Sequence, residues 1–187
     1  MAQGNAADIV VVGGGIAGSG LAARLAAGGL TVEVLERTTE YPDRVRGEMY
    51  CPWGVAVAGE LGLLQPLLDA GAAFSTNWVF YDEALPPDVA ESFGVDTSAI
   101  LPGIPGILNI THPAPRQALC DHAVACGATV HRGVEHIEIG LGGGEPAVGW
   151  RDASGTVHVR ATLFAGPDVL PPGTEPLLAA RDVLLSA

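Results

Sequence analysis

A chain of 187 residues, 48% of them hydrophobic, is long enough for one domain with its own core. Its formal net charge of -12 spreads a negative field over the surface that repels nucleic-acid phosphates and anionic lipid heads, which argues against nucleic-acid and membrane partners. All nine basic residues are Arg, so Walker-type loops and lysine chemistry are excluded, while Cys51, Cys120 and Cys126, without a Cys-x-x-Cys pair, indicate neither a disulfide framework nor a zinc site.

The first residues, Met1 to Asp8, lack a basic segment followed by an apolar one, and the later apolar stretch from Trp53 to Phe74 is interrupted by Glu60, Pro66 and Asp69. The expectation is therefore a cytoplasmic protein. Ile9 to Val12 is an unbroken β-branched run, the mark of a strand buried on both faces of a parallel sheet. From Ile16 to Ala27 the apolar positions Ile16, Leu21 and Leu25 alternate with small residues, as suits a helix lying close to a sheet, and Gly28 and Gly29 stop it. Thr31 to Leu35 reads as a second strand, completing a βαβ unit.

Arg37 to Pro52 has no periodicity and reads as a loop; Trp53 to Ala70 reads as two short helices joined near Leu63 to Pro66. A strand is expected at Asn77 to Tyr81, followed by a stretch holding Pro86, Pro87, Pro102 and Pro105 that is expected to form no regular interior structure. Arg116 to Ala125 reads as a helix closed by Gly127, and Thr129 to His131 and Glu135 to Ile139 as strands. Ala147 to Arg151 and Thr156 to Phe164 read as a hairpin, whereas Gly166 to Ala187, with Pro167, Pro171, Pro172 and Pro176, does not continue a sheet.

Chemistry concentrates at Gly13-Gly14-Gly15-Ile16-Ala17-Gly18, which fits G-x-G-x-x-G. Gly13 permits the tight turn from strand to helix. A side chain at Gly15 would block a pyrophosphate from the helix N-terminus, where free N–H groups and the macrodipole favour an anion, and Gly18 lets helix and strands approach. Such a hexapeptide alone is a weak signal among 26 glycines; its place between a strand and a helix, followed by a second strand ending in Glu36, strengthens it. A carboxylate at Glu36 accepts hydrogen bonds from a ribose diol and disfavours a 2′-phosphate. The motif itself leaves FAD or NAD open.

Asp8 to Arg37, together with Arg44-Val45-Arg46-Gly47-Glu48, resembles the N-terminal part of the para-hydroxybenzoate hydroxylase-like, or group A, flavoprotein monooxygenases. The similarity continues through Pro52-Trp53-Gly54-Val55, Pro102-Gly103-Ile104-Pro105-Gly106, and His112-Pro113 to Arg116 leading into Cys126-Gly127-Ala128-Thr129-Val130. It implies a Rossmann-like FAD/NAD(P)-binding α/β fold, with the FAD-binding domain at 1–71 and 107–166, the start of a substrate-domain excursion at 72–106, and an atypical tail at 167–187. It also implies FAD as cofactor, NAD(P)H as electron donor in full-length relatives, and a small organic, aromatic or cyclic substrate.

By the same resemblance, backbone groups around Gly15, Ile16 and Ala17 would hold the pyrophosphate, Glu36 the adenosine ribose, and Arg37 would flank the adenine. Arg46 would sit over the phosphates or ribityl chain, Arg116 would reach the cofactor from the other side, and Val134 would meet adenine through its backbone. Charge alone also allows Arg46 to be a surface arginine paired with Glu48 or Asp43. His112 is given no role, Trp53, Trp78 and Tyr81 are expected in the core, and the neighbours Asp121 and His122 point in different directions on a helix.

The family's Asp-Gly and later Gly-Asp motifs are missing after Ala165, so a truncated or frameshifted reading frame is expected, with weak or no FAD binding by the chain alone. Two other readings stand beside the monooxygenase: another FAD enzyme of the same fold, a halogenase or isoprenoid reductase, and a non-catalytic nucleotide-binding remnant. An NAD dehydrogenase fits least, because no further βαβ unit follows the first. Substrate, reaction subtype and oligomeric state are not legible in the sequence.

Overall fold

A computed structural model describes residues 6–43, 49–140, 147–152 and 155–165. In chain order these form β1 (Ala6–Val12), α1 (Ile16–Ala27), β2 (Val32–Glu36), β3 (Met49–Tyr50), α2 (Pro52–Glu60), α3 (Leu64–Asp69), β4 (Ala73–Ser75) and β5 (Asn77–Trp78). There follow α4 (Pro87–Ser92), β6 (Val95–Asp96), β7 (Ile107–Asn109), α5 (Ala114–Ala125), β8 (Thr129–Arg132), β9 (His136–Gly140), β10 (Ala147–Asp152) and β11 (Gly155–Ala165). The chain divides into two compact units, residues 1–41 with 119–187 and residues 42–118, the division falling within α5.

The first unit carries a six-stranded sheet in the order β8-β2-β1-β11-β10-β9. Parallel pairing joins β8, β2, β1 and β11, and the chain then turns antiparallel through β11, β10 and β9. β1 lies at the centre of the parallel part, which is why Ile9 to Val12 are apolar without alternation and all buried. β2 is likewise buried along its whole length. From β1 the chain adds β2 and β8 on one side and returns to place β11 on the other, so the C-terminal end of β1 is a topological switch point, the position where open α/β sheets receive ligands.

Two polar residues of this sheet explain each other. Glu33 on β2 is 7% exposed, and its carboxylate is hydrogen-bonded to Nε2 of His131 on β8, two residues along from its register partner Thr129 and therefore on the same face. The His131 ring also lies 4.8 Å from that of the fully buried Trp150 on β10. Replacing His131 with Ala leaves a buried carboxylate without this partner. The expected loss is about 1–3 kcal/mol of unfolding free energy, read as a lower urea midpoint at unchanged slope; an unchanged midpoint would show that water satisfies Glu33.

The second unit holds a three-stranded sheet, β3-β7-β4, and a two-stranded one, β5-β6, with α2, α3 and α4. Several expectations are corrected here. The segment read as a loop from Arg37 to Pro52 contains β3. The strand at Asn77 covers two residues, and the helices meet at 61–63 rather than at 63–66, while Pro66 stands in the first turn of α3, a position that suits proline. The proline-rich stretch is not irregular throughout: Pro87 occupies the first turn of α4, where its missing N–H costs nothing. Trp53, Trp78 and Tyr81 do not join a core. Trp53 is 63% and Tyr81 64% exposed, and Trp78 is also exposed, its ring 4.7 Å from that of Phe80.

Candidate nucleotide-binding site

The turn between β1 and α1 is built from glycines with separate duties. Gly13 has φ of +102°, a conformation that L side chains rarely adopt, and its N–H donates to the Leu35 carbonyl at 2.8 Å, tying the turn to β2. A Cβ on Gly18 would lie 1.9 Å from the Gly13 carbonyl oxygen, so α1 comes as close to the turn as backbone allows. A Cβ on Gly15 would meet nothing within 4 Å. That open space adjoins the start of α1, where no side chain caps the helix and no acidic residue occupies the first turn. Ile16 and Ala17 are exposed beside it. This end of the helix presents backbone donors and its positive dipole end to whatever fills the space.

Gly14 is the residue that the sequence reading passed over. Its N–H donates to Glu36 Oε2 at 2.7 Å, and its carbonyl accepts from Tyr41 Oη at 2.6 Å and Ser19 Oγ at 3.1 Å. Glu36 closes β2 and is 5% exposed. Its other oxygen, Oε1, accepts from the Thr38 N–H at 2.8 Å and the Thr38 hydroxyl at 2.5 Å. Tyr41 in turn lies under Arg132, whose guanidinium carbon is 4.5 Å from the ring centroid. Arg132 also donates to the Thr39 carbonyl and to Cys120 Sγ, each at 3.2 Å.

Of the ten residues expected to hold a cofactor, Gly13, Gly15, Ile16, Ala17, Gly18 and Glu36 lie together around this turn. Val134 joins them from the other side of β2: it is buried and its N–H donates to the Glu36 carbonyl at 3.1 Å, so a backbone contact to adenine would fall to its carbonyl. Arg37 follows Glu36 and is exposed. Arg116 is half-buried in the first turn of α5, within the second unit. Arg46 lies outside the described residues. Sequence reasoning missed Gly14, Ser19, Tyr41 and Arg132, because their roles come from tertiary hydrogen bonds that no spacing rule encodes.

In the second unit, His112 is 8% exposed and its Nδ1 has no hydrogen-bond partner among the described residues. The buried hydroxyl of Tyr50 is in the same condition, and burial pushes this phenol up to about 12. His112 thus lies in the turn before α5 and is buried.

The family model of the FAD binding domain matches residues 6–168, a span that contains every described residue. The chain belongs to the FAD binding domain family. Squalene epoxidase 6 of Arabidopsis thaliana is 38% identical over 93 residues, 50% of this chain and 18% of that protein. Rifampicin monooxygenase of Streptomyces venezuelae is 31% identical over 135 residues, 67% of this chain and 25% of that protein. Among solved structures, a p-nitrophenol 4-monooxygenase from Pseudomonas putida superposes with a TM-score of 0.74 at 20% identity, covering 89% of this chain and 42% of that one. This FAD binding domain therefore spans between 18% and 42% of the lengths of these relatives.

The residues present fit the ADP half of the cofactor. The vacant direction at Gly15 leaves room for a pyrophosphate, the uncapped start of α1 offers it donors, and Glu36 already accepts a hydrogen bond from an alcohol, that of Thr38. No group of three or more His, Cys, Asp or Glu residues able to hold a metal ion occurs among the described residues, and none of the described helices is long and apolar enough to cross a membrane.

Proposed function

We propose that the Gly13–Gly18 turn, Glu36 and Val134 hold the ADP half of FAD, and that the chain is the FAD-binding portion of a flavin-dependent monooxygenase. The observation that carries this reading is the pairing of an open, uncapped helix start at Gly15 with a buried carboxylate at the end of the next strand. Gly15, Ile16 and Ala17 would take the pyrophosphate, Glu36 the ribose, and Arg37, Arg46 and Arg116 would offset the charge of a dianion in a chain of net charge -12. When bound, the flavin supplies the redox chemistry that links NAD(P)H and oxygen to a small aromatic or cyclic substrate. The contribution of this chain is to bind and orient.

If the described site is the ADP half, FAD and ADP should bind with comparable affinity, each displacing the other, and riboflavin should not bind measurably. Titrations followed by tryptophan and flavin fluorescence test this. Tighter binding of riboflavin than of ADP, or binding of NAD with exclusion of FAD, would overturn the assignment.

A further inference from the structure

We propose that Tyr41 is a positioning residue for the pyrophosphate, acting by fixing the orientation of the peptide group between Gly14 and Gly15. The inference rests on the reading of this turn as the ADP site. A peptide unit is planar and trans, so the carbonyl of one residue and the N–H of the next point in opposite directions. The Gly14 carbonyl is held inward by two buried donors, Tyr41 Oη at 2.6 Å and Ser19 Oγ at 3.1 Å, which fill both of its lone-pair directions. The Gly15 N–H is thereby turned outward, on the side where a Cβ of Gly15 would meet nothing within 4 Å.

Without that anchor the two glycines have the freedom to rotate this peptide by half a turn, which would aim a carbonyl oxygen at the phosphates and remove a donor. Glu36 cannot prevent the rotation, since it holds the preceding peptide through the Gly14 N–H. Tyr41 is itself fixed: the residue is 7% exposed and its ring is covered by the Arg132 guanidinium, which is anchored to the Thr39 carbonyl and the Cys120 thiol. Burial, and then the adjoining Cys120, push the Tyr41 phenol well above its ordinary range, which keeps it a donor.

The experiment compares ADP with adenosine, which shares its ribose and base and lacks its phosphates, on the wild-type chain and on Y41F, S19A and the double variant. Y41F keeps the ring beneath Arg132 and deletes only the hydroxyl. Expected are a drop of about tenfold in ADP affinity for Y41F, a larger drop for the double variant, and unchanged adenosine affinity. The Gly14 carbonyl carbon and the Gly15 amide resonances should shift in all three ligand-free variants. A merely structural role would weaken ADP and adenosine together; that result, or an unchanged ADP affinity with unmoved resonances, overturns the proposal while leaving the ADP site standing. Failure of the wild-type chain to bind ADP overturns both.

Discussion

Replacing Gly18 with Ala is expected to damage the fold, whereas replacing Gly15 with Ala is expected to spare the fold and abolish nucleotide binding. The contrast follows from what an added methyl group meets. At Gly18 it lies 1.9 Å from the Gly13 carbonyl oxygen and 3.3 Å from Val11 Cγ1, so it collides with backbone that cannot rotate away. Either α1 lifts off the sheet or the turn distorts. Overpacking of this kind costs about 1–3 kcal/mol when side chains can yield, and a backbone obstacle places Gly18→Ala at or above the upper end, a fall of about 10 °C in Tm for a domain of this size.

At Gly15 the methyl enters open space, and the backbone there, with φ of -75°, is one that alanine adopts without strain. The stability cost of Gly15→Ala stays within about 1 kcal/mol, the difference between Gly and Ala at a helix N-cap. Its effect falls on the ligand, because the methyl occupies the volume that a phosphate needs. Thermal unfolding and ADP titration of the two variants decide the matter. A Gly15→Ala chain that binds ADP as tightly as wild type would mean that the open space is not the pyrophosphate site.

The sequence carried the frame of this site clearly, and the reason is physical. A buried parallel strand must be apolar on both faces, a turn with positive φ selects Gly, and a helix packed against a strand excludes a Cβ, so β1, Gly13 and Gly18 each leave a composition signature. The same holds for Glu36, whose distance along the chain is set by the length of one βαβ unit. Tyr41, Arg132 and Ser19 left no such trace. The Arg132 cover of Tyr41 depends on the chain returning after residue 118 to set β8 beside β2, while the Tyr41 and Ser19 bonds to Gly14 form within the first 41 residues but follow no spacing rule.

The exposed aromatics illustrate the opposite failure. Aromatic side chains usually supply buried area, which predicts a core for Trp53, Trp78 and Tyr81, yet hydrophobicity indicates only that a residue gains from burial, not that this segment provides it. α2 buries Val55 and Ala58 and turns Trp53 and Val57 outward, a division that the nearly uniform apolar sequence from Trp53 to Ala58 does not reveal. Periodicity informs when polar residues mark the other face. In this helix they do not.

Replacing Glu36 with Gln is expected to weaken both ADP and adenosine, which would separate the proposed ribose contact from the proposed phosphate contact positioned by Tyr41. The carboxylate is hemmed in by donors: the Gly14 N–H at Oε2, and the Thr38 N–H and hydroxyl at Oε1. A glutamine amide has one oxygen and one NH2 group, so whichever way it is turned, its own N–H faces a backbone N–H that formerly had an acceptor. Leaving one such buried donor unpaired costs about 1–3 kcal/mol, which should appear as a lowered urea midpoint despite the near-identical shape of the two side chains. Part of the loss in ligand affinity therefore comes through the loop, because a displaced Gly14 N–H loosens the turn that carries Gly15. Adenosine resolves the two contributions: it lacks phosphates, so any weakening of adenosine by Glu36→Gln reports the ribose end. A Glu36→Gln chain with reduced stability, reduced ADP affinity and unaltered adenosine affinity would assign the carboxylate to holding the turn and remove it from the ribose site.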